Sequence, residues 1–144
     1  GLGWDNEGNL FVTEMGPSKN DEINLVQSGG NYGWPEQECS GNEEFIDPIV
    51  CYDPAIEPGG IVFYYGDKVK LDNPLVLATL RASHLFNLEI DDEEIKSQTS
   101  ILSGMGRIRD IAIGPDGYLY LITSNTDGKG FPDASDDKLL RIVK

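Results

Sequence analysis

DIAIGPDGYLYLIT, Asp110 to Thr123, places two short apolar runs, Ile111 to Ile113 and Tyr118 to Ile122, on either side of the turn Gly114-Pro115-Asp116-Gly117. Short β-rich runs flanking a Gly-terminated turn predict a hairpin. The opening residues repeat the same grammar: Gly1-Leu2-Gly3-Trp4, the turn Asp5-Asn6-Glu7-Gly8, then Asn9 to Glu14. Gly8 aligns with Gly117, Leu10 with Leu119 and Phe11 with Tyr120, at a constant offset of 109 residues. That spacing exceeds one propeller blade of ~40 to 50 residues and suits two such units with long connections. Between the copies, Gly60 to Tyr65, Pro74 to Ala82 and Ser83 to Ile90 read as further strands bounded by Gly, Pro, Asp or Asn. No stretch sustains a 3.6 period, and Asp92 to Ser100 admits at most a helical turn or two. The expected fold is all-β, a β-propeller of four-stranded antiparallel blades, with about three blades in this chain. A closed propeller takes about four to eight blades, so the rest must come from an upstream part of the polypeptide or from a second copy.

The 144 residues hold one domain or part of one. Eleven basic against 25 acidic side chains give a net charge of -14, which would repel a phosphate backbone and argues against nucleic-acid binding. Acidic clusters such as Asp91 to Glu94 and Asp133 to Asp137 read as solvated turns. No run of 18 apolar residues is present, so no membrane span is expected. Cys39 and Cys51 are spaced to close a small disulfide loop, with free thiols as the alternative; a disulfide would imply an extracytoplasmic setting.

Chemistry concentrates in Thr13 to Pro35, TEMGPSKNDEINLVQSGGNYGWP. The Gly16-Pro17 turn offers backbone carbonyls, hard oxygen donors suited to calcium. Strand alternation puts Glu22 and Asn24 on one face and Ile23 and Leu25 on the other, with the Tyr32 carbonyl close enough to share an ion with Glu22. Arg107 and Arg109, two apart in a strand, present two guanidinium groups on one face, fitted to a planar ligand with several carboxylates; ordinary salt bridges compete for them. Arg81 is a third cation, placed inside the strand Leu77 to Ala82. His84, the single histidine, reads as a structural strand residue.

Taken together, TEMGPSKNDEINLVQSGGNYGWP, ATLRASHLFNL and GMGRIRDIAIGPDGYLYLITSNTDGKG resemble the C-terminal half of the soluble quinoprotein glucose/sorbosone dehydrogenases. The resemblance implies a six-bladed propeller that oxidises the C1 hydroxyl of aldose sugars to lactones, with pyrroloquinoline quinone (PQQ), calcium and an external electron acceptor. It implies calcium ligation by the Gly16 and Pro17 carbonyls, and a second, structural calcium at Glu22 and the Tyr32 carbonyl. It further implies PQQ binding by Arg107, Arg109 and Arg81, the last standing where the family often has lysine. The family's catalytic histidine has no counterpart in this chain, so no catalytic residue is expected here and the isolated chain is expected to be inactive. A calcium-binding propeller without catalysis, serving as an interaction module, is the alternative; a calcium-dependent lactonase would leave the arginine pair unexplained.

Overall fold

Alternation of apolar and polar side chains, punctuated by glycine turns, yields three antiparallel sheets and, among the described residues, no helix. The computed structural model describes residues 1–91 and 93–143. The first sheet runs in the order β1 (Leu2–Trp4), β2 (Leu10–Glu14), β3 (Asp21–Leu25), β4 (Val50–Tyr52). The second is β5 (Pro58–Phe63), β6 (Leu75–Thr79), β7 (His84–Asp91), β8 (Glu94–Ser103). The third, β9 (Ile108–Ile113), β10 (Leu119–Thr123) and β11 (Leu139–Arg141), has three strands among the described residues. Each sheet is a meander, and β1 packs on β5 and β5 on β9, so the first strands of the sheets form one inner column. These are three blades of a β-propeller.

The two repeat copies are the hairpins β1/β2 and β9/β10, and their turn glycines share a left-handed backbone, φ 89° at Gly8 and 79° at Gly117. A side chain there would strain both turns.

The core consists of two clusters, one on each face of the middle sheet. Leu75, Leu77, Phe86 and Leu88 join Phe11 and Ile23 of the first sheet, whereas Val76, Ala78 and Leu85 join Ile108, Ile111, Leu119 and Leu121 of the third. Strand alternation explains the division, because successive β6 side chains point to opposite faces and both faces are covered. Burying each of these aliphatic side chains contributes about 1.5 to 3 kcal/mol.

Three expectations are corrected. The segment admitted as a helical turn from Asp92 is the extended strand β8 from Glu94 onward, paired along its length with β7 after a turn in which Glu93 has φ 59°; Asp92 lies outside the described residues. Strand β6 ends at Thr79, so Arg81 lies in the turn after it, and Ser83 with φ 56° completes the reversal into β7. Arg107 precedes β9 and does not lie within it.

Candidate cofactor and metal site

The inner strands approach closely enough at their ends to require glycine. A Cβ on Gly59 would lie 2.1 Å from the Arg109 carbonyl oxygen, so only a bare backbone fits between β5 and β9. Beside this contact lies a cavity of about 280 Å³, lined by Gly1, Met15, Gly60, Arg109 and Asp110 among others. Met15 lines this hollow together with Arg109, whereas its neighbour Gly16 lines the separate small hollow of Glu22 and Tyr32.

Arg107 and Arg109 converge, although only Arg109 lies within the strand. Arg107 Nε donates to Asp127 Oδ2 at 2.8 Å, and an Nη of Arg109 reaches the same oxygen at 3.3 Å. The other arm of Arg107 donates to Glu57 Oε2 at 2.8 Å, and Lys129 Nζ stands 3.4 Å from Glu57 Oε1. The Arg107 side chain is only 8% exposed, against 46% for Arg109. Burial opposes its charge, but the hydrogen bonds it donates to Glu57 and Asp127 outweigh that and raise its pKa above the usual arginine value. Burial likewise pushes the Glu57 carboxyl upward, and Arg107 with Lys129 overcomes this to hold it below the ordinary range. Asp127 is held low first by the Lys129 backbone N–H and then by the two arginines. The Arg107 backbone is fixed as well: its N–H donates to Asn125 Oδ1 at 2.7 Å, and its carbonyl accepts from Ser124 N–H at 2.9 Å. A guanidinium has five N–H groups, so Arg109, half-exposed and lining the hollow, keeps donors beyond this pairing for an anionic ligand, whereas Arg107 is buried behind it.

The Gly16-Pro17 turn is equally constrained. Gly16 N–H donates to Asp21 Oδ1 at 2.9 Å, and a Cβ on Gly16 would meet the Lys19 carbonyl oxygen at 1.9 Å. Pro17 is exposed, so the turn presents backbone to the surface. Arg81 is exposed, and its guanidinium donates to the Ser18 carbonyl of this same turn at 3.3 Å.

Glu22 is 8% exposed and accepts from the Cys39 N–H and, at 3.2 Å, from Asn24 Nδ2. Cys39 and Cys51 are joined in a disulfide with Cα atoms 5.5 Å apart, and Cys51 pairs with Glu22 across β3 and β4. Glu22 and Tyr32 share a small hollow of about 20 Å³, roughly one water in size, with Glu14 and Glu38 also in its wall. Two buried side-chain oxygens of this region, Asn24 Oδ1 and Gln37 Oε1, lack hydrogen-bond partners. The donor set is all oxygen and suits a hard cation. Among the described residues no three acidic, thiol or imidazole side chains converge as a metal cluster, so an ion in either place would depend on backbone carbonyls.

His84 opens β7, its N–H donating to Thr79 Oγ1 at 3.1 Å and its ring 5.2 Å from that of Phe86. It lines neither hollow. The sequence reading left Glu57 and Asp127 without a role and gave the Asp21-Glu22 pair one through Glu22 alone. Asp127, in the turn Asn125-Thr126-Asp127-Gly128, had a usable signal as a turn acid close in sequence to the arginines, whereas Glu57 had none.

The sequence model of the family described as Glucose / Sorbosone dehydrogenase matches residues 1–141. The aldose sugar dehydrogenase YliI of Escherichia coli is 30% identical over 88% of this chain and 38% of its own length. The structure of the PQQ-bound form of an aldose sugar dehydrogenase from Streptomyces coelicolor superimposes with a TM-score of 0.79 at 33% identity, over 97% of this chain and 41% of that one. A Thermus thermophilus protein described as a glucose dehydrogenase gives a TM-score of 0.88 at 38% identity, over 98% of this chain and 44% of that one. The chain thus spans roughly two fifths of these relatives. With this match running from the first residue almost to the last, through the Gly-Pro turn and the arginine pair alike, the chain belongs to the glucose/sorbosone dehydrogenase family.

Proposed function

We propose that this chain is the C-terminal part of a PQQ- and calcium-dependent dehydrogenase that oxidises the C1 hydroxyl of aldose sugars to lactones. The observation that carries the reading is the shared hollow at the inner column, where Arg109 and Met15, the neighbour of the Gly16-Pro17 turn, face one cavity with Arg107 paired beside them. Arg107, Arg109 and Arg81 would receive the carboxylates and quinone oxygens of PQQ; Gly16 and Pro17 would present carbonyls to its calcium. Glu22 and the Tyr32 carbonyl would hold a second, structural calcium. PQQ supplies the two-electron, hydride-accepting chemistry when bound, and an external acceptor takes the electrons on. The chain's own residues bind and orient. The base that removes the sugar hydroxyl proton would be a histidine in the preceding blades.

The existing ion pairs also favour a second reading, a calcium-binding propeller without catalysis, in which Glu57 and Asp127 are the permanent partners of the arginines. The Cys39–Cys51 disulfide supports an extracytoplasmic site for either version. No helix among the described residues is long and apolar enough to cross a membrane. The deciding experiment loads the full-length protein with PQQ and calcium and follows its absorbance on adding aldoses. Sugar-dependent bleaching supports the dehydrogenase, whereas an unchanged spectrum with every aldose leaves the binding module. Sugar-dependent dye reduction by the isolated chain would defeat the placement of the base upstream.

A further inference from the structure

Three of the stations above are tied to one buried carboxylate to which none of their ligand roles belongs. Asp21 is 0% exposed at the start of β3. Its Oδ1 accepts the Gly16 N–H at 2.9 Å, and its Oδ2 accepts the N–H groups of Ile56 and Glu57 at 2.7 and 2.6 Å. The carbonyl of Ile56 in turn accepts from Arg81 N–H at 3.0 Å and Ala82 N–H at 3.1 Å, and that of Glu57 accepts from Leu80 N–H at 2.8 Å. Glu57 has φ 51°, a conformation that a residue with a side chain adopts only when its surroundings impose it. In that conformation its carboxylate holds the buried guanidinium of Arg107. One side chain therefore connects the Gly16-Pro17 turn, the turn bearing Arg81 and the position of Arg107, across segments 35 and 36 residues apart in sequence.

We propose that Asp21 is a positioning residue that sets the spacing between the Gly16-Pro17 carbonyls and Arg107, so that a metal and the carboxylates of one ligand are gripped together. The inference rests on the proposed PQQ and calcium reading. Asp21 touches neither group. A carboxylate suits this task because it accepts three N–H groups at once and donates none. Asp21→Asn keeps the volume but turns an NH2 toward either Gly16 N–H or the Ile56 and Glu57 pair, so one anchor is lost. Charge-assisted bonds of this kind are the strong ones, and the expected loss is about ten-fold or more in PQQ affinity.

The test uses the full-length protein: PQQ titration followed by absorbance at fixed calcium, calcium titration by calorimetry without PQQ, and thermal unfolding of the unloaded protein. Asp21→Asn is expected to weaken both ligands. Its effect on PQQ should be less than additive with that of Arg107→Ala, since both act on one grip. Glu57→Gln leaves the three bonds to Asp21 intact and keeps an acceptor for Arg107; several-fold weaker PQQ binding is expected in a protein that still folds, with its unfolding midpoint lowered at neutral pH by loss of the ion pair. Wild-type PQQ affinity in Asp21→Asn, or full additivity with Arg107→Ala, overturns the positioning role. If Asp21→Asn does not fold, Glu57→Gln decides, and wild-type affinity there overturns it too. The two failures are distinguishable, because absence of PQQ binding by the wild-type full-length protein removes the cofactor reading itself, whereas Arg107→Ala binding PQQ like the wild type removes only Arg107 from the grip. A normal Arg107→Ala defect beside a normal Asp21→Asn protein removes only the role of Asp21.

Discussion

The hairpins β1/β2 and β9/β10 are two copies of one repeat, yet they bury opposite faces. Leu2 is 59% exposed, and its counterpart Ile111 only 4%. Leu10 is half-buried where Leu119 is 0% exposed; in reverse, Thr13 is buried where Ile122 is 41% exposed. Leu10 and Leu119 are the same residue type at the same place after the same turn, so local sequence does not set the difference. Location does: the first hairpin has the middle sheet on one side, the last has it on the other. Each copy displays the face its twin buries, as the two cut ends of a ring of similar blades must. The roughly two-fifths coverage of the structural relatives agrees with that.

The sharpest way to break the comparison is to truncate the buried twin. Leu119→Ala should cost about 2 to 5 kcal/mol in denaturant unfolding, because its neighbours Val76, Ala78 and Ile108 cannot close the space. A cost of a few tenths would mean that the third sheet is not packed on the second. The first sheet has an anchor the third lacks, the Cys39–Cys51 disulfide with a sequence separation of 12. In the chain-entropy model a loop of that size is worth about 3 kcal/mol, so Cys39→Ser with Cys51→Ser should lower stability by that order, measured against the wild type with and without reductant. Between the sheets, Arg107→Ala should weaken PQQ binding by the full-length protein by about 1.5 to 3 kcal/mol, as for a hydrogen bond to a charged partner. An unchanged titration would leave Arg107 as an ion-pair residue only.

The Glu57 to Arg107 link has a pH signature of defined sign. The folded pKa of Glu57 lies below its ordinary value of 4.5, so its stabilising contribution is complete above that value and is lost as pH falls through the lower folded pKa. Glu57→Gln should therefore flatten part of the acid limb of the stability profile below about pH 4.5 and leave the profile near pH 7 to 8 unchanged in shape. An identical acid limb in the two proteins would show that the pair is not coupled to folding.

How much of this was legible in the sequence depended on the range of the interaction. The hairpins and their glycines were, because a turn with φ near 80° to 90° at Gly8 and Gly117 is a local requirement that only a few residue types meet. The pairing of Arg107 with Arg109 was read from strand alternation, which does not apply because β9 begins at Ile108; the two guanidinium groups meet instead through their shared partner Asp127. Arg81 was misplaced into β6 because LATLRA has strand propensity throughout, while the actual end of the strand is set by Leu80 and Arg81 bonding to Glu57 and Ile56 instead of to β7. Asp21 and Glu57 could not be read at all. Apart from the local bond from Gly16 N–H to Asp21, the partners that define their roles lie 35 to 50 residues away in sequence, and no local period encodes such a pairing.

The smallest effect discriminates most finely. Leu10 is half-buried, so in this chain by itself Leu10→Ala removes little contact and should change stability by less than about 1 kcal/mol. If, as proposed, a preceding blade covers the face formed by Leu2, Leu10 and Val12 in the full-length protein, the same substitution should there approach the cost of Leu119→Ala. The difference between the two backgrounds is the quantity of interest, because it separates the contribution of the proposed neighbour from any intrinsic effect of alanine on a short strand. If Leu10→Ala costs the same in both, the exposed face of the first hairpin is not a blade interface. The opposite burial of the two copies would then reflect their own hairpins and not a place in a ring.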